Sequence, residues 1–354
     1  MTTTATTPGT AGVGPRLGAL LRSEALRARS RRSLRWLTAL ALLGVVGIAA
    51  IMWFTSARVT AEDLVAATDQ YRAEAQQYYE ACLADPNIPE TERPNACWQP
   101  TEQEAVDNAL WTLPKRPFDR SGLEGLVSFA GGIGLLMAVM LAATAGGADW
   151  GARTMGLLLS WEPRRTRVFL VRLAVVVGLV LALEAALVLL ALGLGSLIAW
   201  AHDLVLPVGQ TLPNHQLPDV GDAAELALRW LPLAALGASG SFAVAMLTRS
   251  TGWAVGALIG FVAVVESIIQ GLWPWGSQWL LQTNAAAWLT GGLTKLVDRA
   301  AAERSGAYLV EVSEGDLLPG YTLISDTRGL ATLAAIVLVA CTVSWLSLRQ
   351  RDVE

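Results

Sequence analysis

Residues 168–200 read VFLVRLAVVVGLVLALEAALVLLALGLGSLIAW, a run of 33 positions in which only Arg172 and Glu184 are charged. About 20 apolar residues in a helix are enough to cross the ~30 Å hydrocarbon core of a membrane. A helix on the surface of a soluble protein would carry a polar face. This run is apolar all round, so it predicts a membrane span.

Five further runs have the same character. They cover residues 36–54, 124–145, 226–247, 253–273 and 328–348. The chain is 53% hydrophobic and 16% charged, with a mean hydropathy of +0.44, whereas globular proteins carry about 25% charged residues. The sequence therefore predicts an all-α integral membrane protein with six transmembrane helices.

The arginines predict the orientation of these spans. They concentrate before the first span, between the second and third, at Arg249, and in the tail at 349–354. The other three connections are acidic or mixed, and these are residues 55–123, 201–225 and 274–327. Because basic residues favour the cytoplasmic side, both termini are expected there, in the cell membrane. Cleavage of the first span as a signal peptide is the alternative, but its run of about 18 residues exceeds the usual apolar length.

The N-terminal leader divides in two. Residues 1–14 are mostly Thr, Gly and Ala, which predicts disorder. Residues 15–35 place Leu17, Leu20 and Leu21 at helical spacing among arginines. This pattern is typical of an amphipathic helix in the membrane interface. The alternative is a disordered arm whose charge only sets topology.

The connection at 55–123 contains two helix-start signatures. Thr60 with Asp63, and Thr101 with Glu104, have capping-box spacing. The first helix is expected to stop near Pro86. So small a segment buries little apolar surface and is stabilised by a covalent link.

Two of the three cysteines supply that link. Cys82 and Cys97 both lie on the predicted external side, where the oxidising compartment favours a disulfide. Two free thiols are the alternative. Cys341 falls inside the last span and is expected to be a small packing residue.

The connection at 146–167 contains a short apolar run. Met155, Leu157 and Leu158 precede Pro163 and predict a short helix at the cytoplasmic surface. Exposed apolar patches usually mark interaction sites, so this helix is expected to bind a partner protein. The alternative is a plain connecting turn, anchored to headgroups by Arg164 and Arg165.

Ionisable and small residues inside the spans are further candidates. Glu184 and Glu266 each lie about 18–21 Å from the predicted cytoplasmic ends at 1.5 Å per residue. Such acids face a cavity or the bundle interior, either as polar points on a substrate pathway or as buried hydrogen-bonding groups. Gly252, Gly256 and Gly260 share one face of the fifth span and predict close helix packing, within the chain or between chains.

The sequence contains no enzyme signature that we recognise. No phosphate-loop motif occurs, and His202 and His215 lack the H-E-x-x-H spacing of a zinc site. We therefore expect neither catalysis nor a bound cofactor in this chain, and no nucleic-acid partner.

In layout and local motifs the chain resembles the permease subunits of type-2 ABC exporters. The resemblance covers nearly the whole chain. Its elements are the basic helix at 15–35, the six spans, and the connection containing Asp149, Arg153-Thr154, Gly156, a Leu run and Pro163 followed by basic residues. The segment at 274–296 is similar in position to the family's re-entrant helices.

The resemblance implies that ATP hydrolysis and the transport pathway belong to different subunits. ATP and Mg would bind a separate nucleotide-binding subunit, which would dock on a coupling helix formed by Met155, Leu157 and Leu158, followed by Arg164 and Arg165. A second permease subunit, in a homo- or heterodimer, would complete the pathway. A different hypothesis is a non-transporting sensor or anchor whose external loop binds a ligand or partner.

Overall fold

A computed structural model describes residues 17–30, 32–91, 93–113, 115–161, 164–202, 217–305 and 319–350. Most of these residues are helical. The predicted disordered segment at 1–14 and residues 351–354 of the tail lie outside the described residues. The first part of the chain forms helices α1 (Leu17–Ser30), α2 (Arg32–Thr55), α3 (Ala61–Ala84), α4 (Arg93–Ala96), α5 (Glu102–Thr112), α6 (Arg120–Gly151) and α7 (Met155–Trp161).

The remainder begins with two long helices and ends with one. Its elements are α8 (Arg165–Ala201), α9 (Val220–Thr248), α10 (Thr251–Gly260), α11 (Glu266–Leu272), α12 (Leu281–Thr290), β1 (Gly292–Leu296), α13 (Arg299–Ser305), β2 (Tyr321–Ser325) and α14 (Asp326–Gln350). A π-turn at Phe261–Val265 joins α10 to α11, and a 3₁₀ turn at Pro274–Trp279 precedes α12.

Six helices in the described residues are long and apolar enough to cross a membrane, which confirms the predicted all-α membrane class. They are Arg35–Thr55, Arg120–Gly151, Arg165–Ala201, Val220–Thr248, Thr251–Leu272 and Asp326–Gln350. All six overlap the predicted runs, and several are longer. The first begins at Arg35, the last residue of the predicted interfacial helix, and helix α1 lies within the predicted range of 15–35.

The second span differs most from its predicted end at residue 145. Helix α6 continues to Gly151, and two glycines near its end let it pass close to α9 and to the start of α10. A Cβ atom on Gly146 would lie 2.8 Å from the Phe242 carbonyl oxygen, and one on Gly147 would lie 2.5 Å from the Thr251 nitrogen. Glycine usually weakens a helix, but here it permits helix contact.

The connection after the fifth span contains a small sheet that the sequence analysis did not predict. Strands β1 and β2 are antiparallel, with Gly292 opposite Ser325 and Leu296 opposite Tyr321. Helix α12 ends at Gly291, whose φ of 82° is readily adopted only by glycine. The segment predicted as re-entrant is thus a 3₁₀ turn and a ten-residue helix followed by a short sheet.

The helices near the disulfide begin as predicted. The Thr60 amide and hydroxyl both donate to Asp63, at 3.0 and 2.7 Å, and the Asp63 amide donates back to the hydroxyl. Thr101 and Glu104 repeat the arrangement at the start of α5. These hydrogen bonds lower the pKa of both carboxyl groups. The ionised form is the one that caps, so both caps persist until the pH falls below the ordinary range of these acids.

Cys82 and Cys97 form a disulfide with their Cα atoms 5.6 Å apart, which confirms the predicted link. Two further contacts accompany it. Arg72 of α3 forms an ion pair with Glu102 of α5, and a small core of Val59, Leu64, Val106 and Leu110 lies between these elements. The connection at 55–123 therefore has its own packed structure.

The chain divides into two compact units. One contains residues 1–39, 133–184 and 229–354, and the other contains residues 40–132 and 185–228. The disulfide-linked helices belong to the second unit. The core of the first unit includes Met155, Phe169, Val176, Phe242 and Leu348, and the candidate functional residues described next lie in this unit.

Candidate functional site

Helix α7 lies at the corner between the second and third spans, where a short helix was predicted. Its first residue, Met155, is only 1% exposed and belongs to the core formed with Phe169 and Phe242, whose rings meet edge-on at 5.5 Å. The expectation that a partner protein buries Met155 is therefore wrong, because the chain's own core already does so. The short apolar run predicted an apolar helix but did not show which neighbouring residues cover it.

The neighbouring leucines divide between core and surface. Leu158 packs against the same core as Met155, whereas Leu157 is 64% exposed. Leu157 is thus an apolar side chain of α7 that remains available to a partner. Gly156 and Ser160 are exposed beside it.

The turn between α6 and α7 has a fixed conformation. Arg153 adopts a φ of 56°, the left-handed conformation that commonly ends a helix. The Thr154 amide donates to the Asp149 carbonyl at 3.0 Å, and the Arg153 amide donates to Trp150 at 3.1 Å. The Arg249 guanidinium stacks over the Trp150 ring at 4.5 Å. These contacts fix where α7 begins relative to α6.

A buried arginine holds this corner together. Arg172 of α8 is 3% exposed and forms an ion pair with Asp149 of α6. It also donates to the Ala145 carbonyl at 2.7 Å and contacts the Met155 sulfur at 3.6 Å. Its Nε lies 4.0 Å from a carboxylate oxygen of Glu24 in α1.

Four helices therefore meet at one guanidinium: α1, α6, α7 and α8. A charge removed from water needs compensation, and Asp149 with the Ala145 carbonyl supplies it. We call Arg172, Asp149, Glu24 and Met155 the corner cluster. Sequence reasoning missed it, although a signal was present: an acid near the end of the second span and a base just inside the third.

Arg164 and Arg165 have different surroundings. Arg164 is exposed. The Arg165 side chain donates to the carbonyl oxygens of Leu348 and Arg349, at 3.1 and 3.4 Å, and so binds the end of α14. The Trp345 indole donates to the Thr166 hydroxyl at 3.0 Å in the same region. Arg165 is thus a contact between the third and last spans.

Glu266 is fully buried and hydrogen-bonded. Its two carboxylate oxygens accept from the amides of Leu281 and Gln282, at 2.6 and 2.9 Å. These amides open α12, where the helix dipole favours a negative charge. The Gln282 side chain donates to the Val262 carbonyl at 2.9 Å, within the π-turn. The sequence left open whether Glu266 is a polar point on a substrate pathway or a buried hydrogen-bonding group, and its two hydrogen bonds correspond to the second alternative.

Glu184 is also fully buried, but its environment is different. Among the described residues, neither of its carboxylate oxygens has a hydrogen-bond partner. The hydrogen bond to a Ser, Thr or backbone group considered from sequence is therefore not found there. Gly134 of α6 lies directly against the carboxyl group, and a Cβ atom on Gly134 would overlap it.

The glycine face of the fifth span is open. No side-chain or neighbouring-helix atom of the described residues lies within 4 Å of a Cβ built on Gly252, Gly256 or Gly260. Helix packing in the described part of the chain does not use these three positions. Gly252 and Gly256 are exposed.

Four other residues complete the comparison with the sequence. The Arg229 side chain, near the predicted outer end of the fourth span, donates to the Trp288 carbonyl at 2.7 Å, and the Trp288 indole donates to the Arg229 carbonyl at 2.6 Å. Cys341 is a partly buried free thiol. His202 packs edge-on against Trp53 at 4.7 Å, and His215 lies outside the described residues.

The structure thus brings Met155 into contact with Arg172, whereas Glu184 and Glu266 have separate environments. No protein-family model matches the chain, and no curated protein matches it either.

Proposed function

We propose that the chain is the transmembrane permease subunit of an ABC exporter, driven by ATP hydrolysis on a separate nucleotide-binding subunit. The observation that carries this proposal is the one-sided burial of α7. Its Met155 side is fixed in the core, and its Leu157 side is exposed. A docking helix needs both properties, because it must bind a partner and transmit the partner's movement.

The corner cluster supports transmission. A displacement of α7 acts on the core through Met155, and Arg172 connects α6 and α8 at the same point. Close-packed interiors transmit strain because they contain few voids. Movement of a bound ATPase would therefore reach the second and third spans together. In this proposal α1 is the interfacial helix, and it joins the cluster through Glu24.

The substrate pathway in this proposal includes Glu184. A buried carboxyl group without a hydrogen-bond partner in the described structure is costly in a membrane and usually has a function. Glu266 is a structural cap in this scheme because its oxygens already accept from α12. Six spans form half of a pathway, so a second permease subunit, identical or different, completes it.

Co-purification tests the proposal. The full chain, isolated from its native membrane in mild detergent, is expected to bring with it an ATP-hydrolysing subunit. Leu157→Asp is expected to release that subunit, because burying a leucine contributes about 1.5–3 kcal/mol and a buried carboxylate adds a penalty. The loss of affinity is expected to be about tenfold or more.

Leu26→Asp is the matched control. Leu26 of α1 is 62% exposed, close to the 64% of Leu157, and the substitution is the same. If both variants retain the ATPase, or if the unaltered chain brings none, the docking role of α7 is wrong.

A second function has one observation in its favour. The disulfide and the small core at Val59 and Leu64 give the connection at 55–123 its own packed structure. Such a structure suits a sensor or anchor that binds a ligand or partner outside the membrane. A chain that purifies without an ATPase, but binds a partner that is lost on deletion of 61–112, would support this function instead.

A further inference from the structure

A cleft of about 850 Å³ opens beside the first turns of α8. Four arginines line it: Arg164, Arg165, Arg167 and Arg349. Among the residues that the structure describes, none of those lining the cleft is acidic. The cleft is therefore strongly basic at one end of the third and last spans, the end that the sequence predicts to be cytoplasmic.

The other side of the cleft is apolar. Leu21 of α1 and Leu170, Val171 and Ala174 of α8 line it. Leu170 is 55% exposed and Ala174 is exposed as well, so an apolar surface remains uncovered next to the arginines. A small anion such as phosphate would neutralise the charge but would leave this surface exposed.

Several contacts form the walls of the cleft. The Arg165 side chain binds the last carbonyls of α14 at 3.1 and 3.4 Å. The Arg349 guanidinium lies over the Trp345 ring at 5.9 Å, and Trp345 donates to Thr166. These contacts hold α8 and α14 together, so two of the arginines have defined positions before any ligand binds.

We propose that this cleft binds one anionic phospholipid of the leaflet on that side, with its phosphate at the arginines and its acyl chains along Leu21, Leu170 and Ala174. The arginines favour an anionic headgroup, since basic pockets at the ends of spans recognise such headgroups by charge. The apolar wall favours the acyl chains of a lipid. The proposal depends on the membrane-spanning fold alone and is independent of any ATPase partner.

Native mass spectrometry of the full chain in detergent tests the inference. The probes are dioleoylphosphatidylglycerol, which is anionic, and dioleoylphosphatidylcholine, which has no net charge. We expect one retained adduct of the anionic lipid and much weaker retention of the other. Arg164→Gln with Arg349→Gln is expected to weaken the adduct about 25-fold, because each arginine near a lipid surface contributes roughly fivefold.

Two controls separate the cleft from general surface charge. Arg22→Gln with Arg35→Gln removes the same charge from exposed positions that do not line the cleft, and it is expected to leave the adduct unchanged. Ala174→Trp changes no charge but fills the apolar wall, and it is expected to abolish the adduct. Arg164→Lys with Arg349→Lys retains the charge, so it is expected to retain most of the binding even if the glutamine pair folds poorly.

Five results would overturn the inference. The first is an equal loss of lipid binding in the Arg164/Arg349 pair and in the Arg22/Arg35 control pair, and the second is equal retention of the two lipids. The third is displacement of the adduct by excess inorganic phosphate, and the fourth is an unchanged adduct in Ala174→Trp. An adduct that forms only after deletion of residues 351–354 would also overturn it, because the occupant would then be the chain's own tail with Asp352 and Glu354.

Discussion

Replacement of Arg172 by methionine tests the corner cluster. The guanidinium is 3% exposed, and its removal takes from Asp149 the cation with which it forms an ion pair. It also removes the 2.7 Å hydrogen bond to the Ala145 carbonyl. Loss of one member of a buried ion pair costs about 3–5 kcal/mol. We expect Arg172→Met to lower the free energy of unfolding by about that amount.

The partner substitution is expected to cost less. In Asp149→Asn, Arg172 retains the Ala145 carbonyl and the carboxylate of Glu24 at 4.0 Å. Loss of a hydrogen bond to a charged group costs about 1.5–3 kcal/mol. When both charges are removed, as in Arg172→Met with Asp149→Leu, the stability is expected to return to within about 1 kcal/mol of the unaltered chain, because well-packed apolar residues replace a buried pair at little cost.

Thermal unfolding in detergent, followed by the fluorescence of the 14 tryptophans, measures the order of stability. We expect the unaltered chain and the double variant to have the highest midpoints, close to each other. The midpoint of Asp149→Asn is expected to be lower, and that of Arg172→Met the lowest. Arg22→Met is the matched control, since Arg22 is an exposed arginine of α1, and its midpoint is expected to be unchanged.

An unfolding midpoint of Arg172→Met equal to that of Arg22→Met would show that the Arg172 ion pair does not stabilise the fold. The same holds if the loss of stability in the double variant equals the sum of the losses in the two single variants. In that case the two residues would not be coupled.

Three other sites and the predicted topology give further predictions. Arg153→Gly removes the Cβ atom that makes a left-handed conformation costly, so it is expected to stabilise the chain by about 1 kcal/mol in the same unfolding assay. A lower midpoint would contradict this. Glu266→Leu leaves the first amides of α12 without an acceptor and is expected to cost about 2 kcal/mol or more, seen as faster hydrogen exchange in the first turn of α12; Glu266→Gln retains an acceptor and should lose less. Cys82→Ser with Cys97→Ser is expected to destabilise the local structure by roughly 3 kcal/mol, measured as faster limited proteolysis between the two positions. A cysteine at exposed Gln77 should react with an impermeant thiol reagent applied to intact cells, and reaction only after lysis would reverse the predicted topology.

Local patterns in the sequence predicted local structure well. The spans followed from runs of apolar residues, and the caps at Thr60 and Thr101 followed from residues three positions apart. The disulfide followed from two cysteines on one predicted side. Each of these predictions needs only residues that are near in the chain or share one environment.

Contacts between distant residues were not predictable in this way. Arg172 and Asp149 are separated by 23 positions, and strands β1 and β2 are joined across a longer segment. The burial of Met155 depends on where Phe169 and Phe242 lie around it. Periodicity identifies an apolar face, but the fold decides which neighbour covers it.

The π-turn at Phe261–Val265 changes which residues of the fifth span lie on the same face. In a uniform helix at about 100° per residue, Glu266 would project within about 40° of Gly252. The extra residue in the turn shifts the phase by about 100°, which places the acid about 140° away, on the opposite side. Gly252 is indeed exposed and Glu266 fully buried. This span has two phases, so a helical wheel drawn through all of it assigns one half of the residues to the wrong face.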